Sequence, residues 1–254
     1  NAWPGTENRG RFGQPPERYV STTPQEYAIN SPWALYVHGE DLYIAMAGPH
    51  QIWKMKLDES EIGPYAGNGR EDIVDGQLLP PYPYQERAEG PSRMCSHEAS
   101  LHYSAFFQPS GCASDSTWLY VSYSEGSSIR AVPFDSHKDV KTIIGTSRLP
   151  FNRLFIFDNR DGQGLLQTSV PQFQWRGRVS ETEGPAMQHC LGVVHHDGTL
   201  YVADTYNNSI KMINLDGNIC TTIAGEKPKP EEPAETSSSA SPSSAASQDD
   251  LNEE

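Results

Sequence analysis

The stretch "TLYVADTYNNSIKMINLDGNICTTIAG" (199–225) predicts short strands separated by tight turns. "LYVADT" is rich in the β-branched and aromatic residues that favour strands. "SIKMINL" alternates apolar and polar residues, as a half-buried strand does, and "YNN" has the composition of a turn. Because an isolated hairpin is only marginally stable in water, we expect this unit to pack against copies of itself or against a partner.

Two earlier segments repeat this pattern, "DLYIAMAGPHQIWKM" (41–55) and "WLYVSYSEGSSIRAV" (118–132). When the three leucines of their "LY" pairs are aligned, an isoleucine follows at the same distance in every segment. A glycine then closes a β-rich run. The aligned residues are Leu42, Leu119 and Leu200, then Ile52, Ile129 and Ile210, then Gly67, Gly145 and Gly225. Landmarks that hold one register three times indicate an internal repeat.

Each repeat predicts a meander of four strands. A first strand and a turn precede the "LY" strand, a second turn leads to the third strand, and a short fourth strand ends at the closing glycine. Asp197-Gly198, between the first two strands of the last unit, is the strongest of the hairpin signals. Repeated four-stranded units are typical of a β-propeller. We therefore predict an all-β fold with about three four-stranded blades.

The repeats also resemble a known family. "LYVADTYNNSIKMI" is similar to an NHL repeat, with Asn207-Asn208-Ser209-Ile210 in place of the family's Asn-His-x-Ile, and His50 holds the histidine position of the first unit. The resemblance covers about residues 31–225. It implies an NHL-type propeller, of which three blades of a six-bladed ring are visible. It also implies association with a thioredoxin-like domain, which this sequence does not show.

Composition divides the 254 residues into three parts. Residues 1–30 are polar and turn-rich, and we expect them to add at most one closing strand. Residues 31–225 carry the blades. Residues 226–254 are rich in Pro, Ser, Ala and acidic residues, so we expect a disordered tail. The formal net charge of −14 disfavours nucleic acid as a partner. No apolar run is long enough for a membrane helix, no signal peptide is visible, and the compartment stays open.

Two long connectors, at about 68–104 and 146–186, separate the repeats. In an up-and-down blade the turn between strands two and three lies at the same end as the link to the next blade, so we expect turns and connectors to share one long-loop face. Such loops on a rigid scaffold often carry function. The expected face includes Tyr82, Tyr84, His97, Phe151, Phe155, Trp175 and Arg176. The candidate binding residues are His50, Tyr123, Tyr206, Asn207 and Trp175, although Tyr123 could instead point inward.

Catalytic motifs are not found. The four cysteines form no CxxC pair, and small buried thiols are expected. Asp75 and Asp161 precede glycines in the connectors, where we expect structural turns rather than calcium loops. Arg130 lies on a third strand, at a position expected to be exposed. We predict no catalytic residue, no metal ligand and no cofactor.

Three blades of a six-bladed ring would leave two apolar sides open. We expect either a homodimer that completes the propeller or blades that lie elsewhere. The predicted function is a non-catalytic scaffold that binds a protein, peptide or small ligand through the long-loop face. The alternatives are a metal-dependent lyase or lactonase and a propeller partner of a thioredoxin-like redox domain.

Overall fold

A computed structural model of the chain describes residues 22–27, 29–79, 103–148, 154, 156–165, 167–168 and 182–225. Single 3₁₀ turns occur at Pro24–Glu26 and Thr205–Asn207, and the other regular elements in these ranges are strands. The predicted tail (226–254) and most of the N-terminal segment lie outside the described residues. No helix in the described ranges is long and apolar enough to cross a membrane.

Three antiparallel meanders form the body of the protein, as the repeats predict. Blade 1 comprises β1 (Pro32–His38), β2 (Asp41–Met46), β3 (Gln51–Lys56) and β4 (Ile62–Ala66). Blade 2 comprises β5 (Pro109–Ser114), β6 (Trp118–Tyr123), β7 (Ser128–Pro133) and β8 (Lys141–Ile144). Short strands β9 (Gly162–Gln163), β10 (Gln167–Thr168) and β11 (Thr182–Glu183) precede blade 3. Blade 3 comprises β12 (Cys190–His196), β13 (Thr199–Asp204), β14 (Ser209–Asn214) and β15 (Ile219–Gly225).

The blades pack in chain order, with their first strands side by side: β1 contacts β5, and β5 contacts β12. Two apolar clusters fill the two junctions. One includes Tyr43 and Ile52 of blade 1 with Leu119 and Val121 of blade 2, and the other joins blade 2 to blade 3. We call the face of a blade on the side of the next blade in the chain its trailing face, and the opposite face, on the side of the preceding blade, its leading face. Each of the two junctions packs a trailing face on a leading face.

The first strands of blades 2 and 3 approach each other closely at Gly111. A Cβ atom at this position would lie 2.4 Å from the carbonyl oxygen of Leu191 in β12 and 2.6 Å from Ser122 Oγ. Ser122 Oγ itself donates a hydrogen bond to that same carbonyl, at 2.8 Å. The glycine therefore lets the backbone of blade 3 pack directly on blade 2.

The described parts of the connectors run beside the blades as pairs of arms. Before blade 2, one arm passes Glu71, Val74 and Gln77, and the returning arm pairs with it at Phe106, Ala105 and Tyr103. Gly76 also bridges to Val140 beside β8. Before blade 3, β9 pairs with the outer strand β15. These arms extend along the full height of the following blade, so they are not confined to the long-loop face.

Buried cations on the third strands hold these arms. Arg130 is fully buried, which corrects the prediction that this position is exposed. Its Nη2 lies 3.0 Å from Asp75 Oδ1, and its Nη1 donates to the Ala105 carbonyl at 2.6 Å. Thr142 Oγ1 of β8 donates to the same Asp75 oxygen at 2.7 Å. A buried guanidinium needs such partners because its desolvation is costly; the two Nη atoms of Arg130 have them, whereas its buried Nε has no partner among the described residues.

Blade 3 repeats the arrangement with a lysine. Lys211 is fully buried and its Nζ lies 3.0 Å from Asp161 Oδ1 and 2.9 Å from Asn159 Oδ1. Thr222 Oγ1 of β15 donates to Asp161 Oδ1 at 2.8 Å. Burial alone would raise the pKa of Asp161, but the hydrogen bonds from Thr222 and Lys211 outweigh it and lower the pKa below the ordinary 3.8. The two Asp-Gly turns are therefore structural.

Blade 1 has an aromatic residue where the other blades have a cation. Trp53 is fully buried and packs with Tyr27, whose ring centroid lies 5.3 Å away. Trp53 Nε1 donates to Gln51 Oε1 at 2.9 Å, and Gln51 Nε2 donates to the Gly67 carbonyl at 2.9 Å. Residues 22–27 and 29–30 thus cover part of the leading face of blade 1, without forming a strand.

The cysteines that the structure describes are free thiols, Cys112, Cys190 and Cys220. Burial raises the pKa of Cys112 and of Cys220 to about 12. Burial also raises the pKa of Cys190. Thiols with raised pKa values are weak nucleophiles, which agrees with the prediction of structural roles. Cys95 lies outside the described residues.

We predict that Gly111→Ala destabilises the protein by about 1–3 kcal/mol, because the added methyl group forces two backbones apart. Gly192→Ala is the matched control, since a Cβ atom there meets its nearest neighbour, Ala203 Cβ, at an ordinary 3.6 Å. Urea unfolding followed by circular dichroism measures both. Equal stabilities for the two variants would contradict the close approach at Gly111.

We predict that Asp161→Asn lowers the free energy of unfolding by about 2 kcal/mol at neutral pH. A broken buried pair costs more than this, but a third of the Asp161 side chain is exposed, so solvent screens the loss. Because the pKa of Asp161 is lowered in the folded state, its contribution is complete above pH 3.8 and is lost as the pH falls through the folded value.

The difference between wild type and Asp161→Asn should therefore shrink on acidification, which urea unfolding at several pH values measures. The exposed turn residue Asp216, changed to Asn, is the control and should leave stability unchanged at every pH. A difference that persists unchanged in acid would refute the assigned ion pair.

Candidate functional site

The turns between the second and third strands lie at one end of the blades, and we call this end the turn face. Each turn ends in a residue with left-handed backbone conformation: His50 (φ 55°), Ser127 (φ 44°) and Asn208 (φ 49°). This conformation is incompatible with an extended strand. The residue therefore still belongs to the turn, and the third strand begins directly after it. In blades 1 and 2 the side chain at this position contacts the segment that leads into the next blade.

His50 joins blade 1 to blade 2. The backbone N–H of Gln108 donates to His50 Nδ1 at 3.2 Å, and His50 Nε2 lies 3.2 Å from Glu71 Oε1. The ring is buried. With Nδ1 accepting from the backbone, the ring donates from Nε2 to the carboxylate, so both nitrogens are engaged. This arrangement positions His50 as a structural link beneath the surface.

Blade 2 makes the same link with a smaller side chain. Ser127 Oγ accepts a hydrogen bond from the backbone N–H of His189 at 3.2 Å. Gln108 and His189 occupy equivalent positions immediately before β5 and β12, and both have left-handed backbone conformation (φ 51° and 49°). Each blade junction in the described chain is thus closed by a hydrogen bond from backbone to side chain at the turn face.

A depression of about 320 Å³ opens beside His50. Its walls are mainly polar and small, with one exposed indole. The lining residues are Ser31, Trp33, Ala47, Gly48, His50, Glu71 and Gln108. Trp33 is 53% exposed and Glu71 is exposed. The depression can therefore contact a ligand through an aromatic ring and a carboxylate.

Tyr206 and Asn207 lie side by side but have different surroundings. Tyr206 is 62% exposed, and its ring centroid lies 4.0 Å from that of His189. Asn207 Nδ2 donates to the Asp158 carbonyl at 2.9 Å and to Asp204 Oδ2 at 2.8 Å. Asn207 thus fixes the connector before blade 3, whereas Tyr206 presents its ring to solvent.

The other two predicted residues do not join this surface. Tyr123 is buried, with its ring centroid 5.4 Å from that of Phe106, so the inward of its two predicted orientations is the one observed. Burial raises the pKa of Tyr123. Trp175 lies outside the described residues, as do Tyr82, Tyr84, His97, Phe151, Phe155 and Arg176. Their place on the long-loop face stays a prediction.

Sequence reasoning missed two acidic residues near the turn face. Asp204 is fully buried and accepts from the Gln188 backbone N–H at 2.6 Å. Burial raises the pKa of Asp204 despite these hydrogen bonds. Glu125 Oε1 lies 3.7 Å from His189 Nδ1, next to Tyr206. The position of Asp204 at the end of a repeated strand was a signal in the sequence from which its importance could have been predicted. Nothing in the sequence around Glu125 distinguished it from other surface acidic residues.

Within the described ranges no group of three or more His, Cys, Asp or Glu side chains is placed to hold a metal ion. The equivalent inner-strand positions of the three blades are occupied by Leu35, Cys112 and Val193.

Comparison with known proteins points to one family. No protein-family model matches the chain. The chain is 32% identical over 229 residues to NHL repeat-containing protein 2 of Homo sapiens, covering 87% of this chain and 27% of that protein. It is 31% identical over 209 residues to Protein SUPPRESSOR OF QUENCHING 1, chloroplastic, of Arabidopsis thaliana, covering 78% of this chain and 15% of that protein.

The similarity to solved structures is lower in sequence identity. Hydrazine synthase of Kuenenia stuttgartiensis has a TM-score of 0.41 and 13% identity, covering 83% of this chain and 41% of that chain. Virginiamycin B lyase of Staphylococcus aureus has a TM-score of 0.33 and 10% identity, covering 84% of this chain and 64% of that chain. The chain spans about a quarter of the length of the NHL relatives that it matches. From its repeated four-stranded blades and these relatives, the chain belongs to the NHL repeat family of β-propeller proteins.

Proposed function

We propose that this chain is a non-catalytic binding scaffold that recognises a protein or peptide partner with basic side chains through its turn face. One observation carries the proposal: exposed aromatic rings and carboxylates occur together on that face. Trp33 and Tyr206 supply the rings, and Glu71 and Glu125 supply the carboxylates. Tryptophan and tyrosine are enriched among the residues that dominate binding energy at interfaces.

The scaffold beneath these groups supports recognition without much loss of entropy. Glu71 lies against the buried ring of His50, and Tyr206 packs on His189, whose backbone is bonded to Ser127. Side chains that are already held in place lose less freedom on binding, which favours affinity. The turn face is therefore preorganised.

Charge favours a basic partner over an acidic one. The chain has a formal net charge of −14, and the carboxylates of Glu71 and Glu125 flank the two blade junctions on the turn face. Carboxylates at the rim of an interface increase the rate of association with cations and repel anions. A lysine- or arginine-containing peptide with an aromatic residue fits both features.

We predict that selection from a random peptide library yields peptides rich in Lys or Arg with an aromatic residue. Tyr206→Ala should weaken binding of a selected peptide about tenfold, the loss of about 1.4 kcal/mol expected for an aromatic contact. Glu125→Gln should weaken it less and reduce its salt dependence. Fluorescence anisotropy measures each affinity at two ionic strengths.

Leu57→Ala is the matched control, because Leu57 is exposed at the opposite end of blade 1. It should bind the selected peptide as wild type does. Circular dichroism should be unchanged for all three variants. If Tyr206→Ala and Glu125→Gln bind with undiminished affinity, or if no peptide is enriched, the turn face is not the recognition surface.

The competing enzymatic function requires a metal ion at the propeller axis. We predict that purified protein, after dialysis, contains no stoichiometric zinc or calcium by elemental analysis. One equivalent of either metal per chain would contradict the non-catalytic scaffold and favour a metal-dependent lyase or lactonase.

A further inference from the structure

Two apolar sheet faces are uncovered in the described chain. On the first strand of blade 1, Leu35 is 60% exposed and Val37 is similarly exposed. On blade 3, Val194 is 62% exposed, and Ile210 and Ile223 are also exposed. Exposed apolar surfaces of this kind mark interaction sites. The first belongs to the leading face of blade 1 and the second to the trailing face of blade 3.

The trailing face of blade 3 repeats the trailing faces of the other two blades. Tyr43 and Ile52 of blade 1 pack on blade 2, and Tyr120 and Ile129 of blade 2 pack on blade 3. Their equivalents in blade 3 are Tyr201 and Ile210, by the alignment of the three "LY" pairs. Blade 3 therefore has the same two residue types at the same register as blades 1 and 2, and its trailing face is suited to pack on a leading face of the same kind.

The leading face of blade 1 matches that requirement. The equivalents of Leu35 on the other first strands are Cys112 and Val193, and both pack into junction clusters. The arms of the connectors cover the outer parts of the leading faces of blades 2 and 3, and Tyr27 does so on blade 1. No described residue covers the inner strip of the leading face of blade 1, which is the part that a preceding blade would contact.

The residue positions that form the hydrogen bond at each junction also occur on the uncovered sides of blade 1 and blade 3. Within the chain, a left-handed residue before the first strand donates its backbone N–H to the side chain that ends the preceding turn, at 3.2 Å in both junctions. Ser31, with φ 52°, occupies the donor position of blade 1. Asn208 occupies the acceptor position of blade 3, and its carboxamide oxygen can accept such a bond.

We propose that a second copy of this chain covers both faces, with the trailing face of blade 3 in each copy packed on the leading face of blade 1 in the other. Both halves of the interface occur on one chain, and the junctions inside the chain show how they fit together. Two copies related by a two-fold axis form two identical junctions and leave no face open. The resulting six blades lie within the usual range of four to eight.

Light scattering coupled to size exclusion, under reducing conditions, tests the proposal. The wild-type chain should have twice the monomer mass of 28.1 kDa. Leu35→Glu and Val194→Glu should each convert the dimer to a folded monomer, because each places a charge in both junctions. Leu57→Glu adds the same charge at an exposed site outside these faces and should remain dimeric.

A monomeric wild type would overturn the proposal, and so would a mass that grows continuously with concentration, which indicates an open assembly. A dimer that survives both Leu35→Glu and Val194→Glu would overturn it too. Unchanged circular dichroism spectra are required of each variant. If a glutamate variant fails to fold, Leu35→Ser or Val194→Ser takes its place, with a weaker dimer expected.

Cross-linking tests the head-to-tail arrangement directly. A mixture of Ser31→Cys and Asn208→Cys proteins, oxidised mildly, should give a disulfide-linked dimer that neither protein gives alone. Ser127→Cys with His189→Cys in one chain is the control, because these residues form the equivalent junction inside the chain. A cross-link in the control without one in the mixture would refute the proposed junction.

Discussion

The ion pair between a connector aspartate and a buried cation on the third strand determines how the connectors lie. Arg130 and Lys211 stand in the middle of their blades with no access to solvent. A charge in such a position is strongly destabilising unless it is paired and fully hydrogen-bonded. Asp75 and Asp161 must therefore enter the sheet edge, and the arms that carry them must run along the blade. A threonine on the fourth strand donates to each aspartate and fixes its orientation.

A second constraint acts at the turn face of the junctions. In blades 1 and 2 the residue that ends the second turn has left-handed backbone conformation, and its side chain accepts a hydrogen bond from the next blade. A histidine does this in blade 1 and a serine in blade 2, so the position requires an acceptor and tolerates different sizes. Blade packing is thus fixed by apolar faces, by ion pairs on the third strands and by hydrogen bonds at the turn face.

The fold could be predicted from the sequence because strand alternation and repeat register are local properties. The surroundings of single residues could not. Arg130 follows an alternating pattern that assigns it to an exposed face, but a connector distant in sequence covers that face and supplies Asp75. His50 has the residue type of a binding site, yet its partner Gln108 is on the next blade. The exposure of Tyr206 could be predicted, because a residue at the tip of a turn is exposed regardless of distant packing; its role in binding stays a prediction.

The arms before blade 2 are anchored on both sides of the stretch that joins them. Gly76 is bonded to Val140, and the backbone N–H of Ser104 donates to the Gln77 carbonyl at 3.0 Å. The two arms are bonded to each other as well as to the blade, with bridges from Glu71 to Phe106, from Val74 to Ala105 and from Gln77 to Tyr103. A change on one arm is therefore transmitted to the other, and the described parts of both arms pack on blade 2 as one unit.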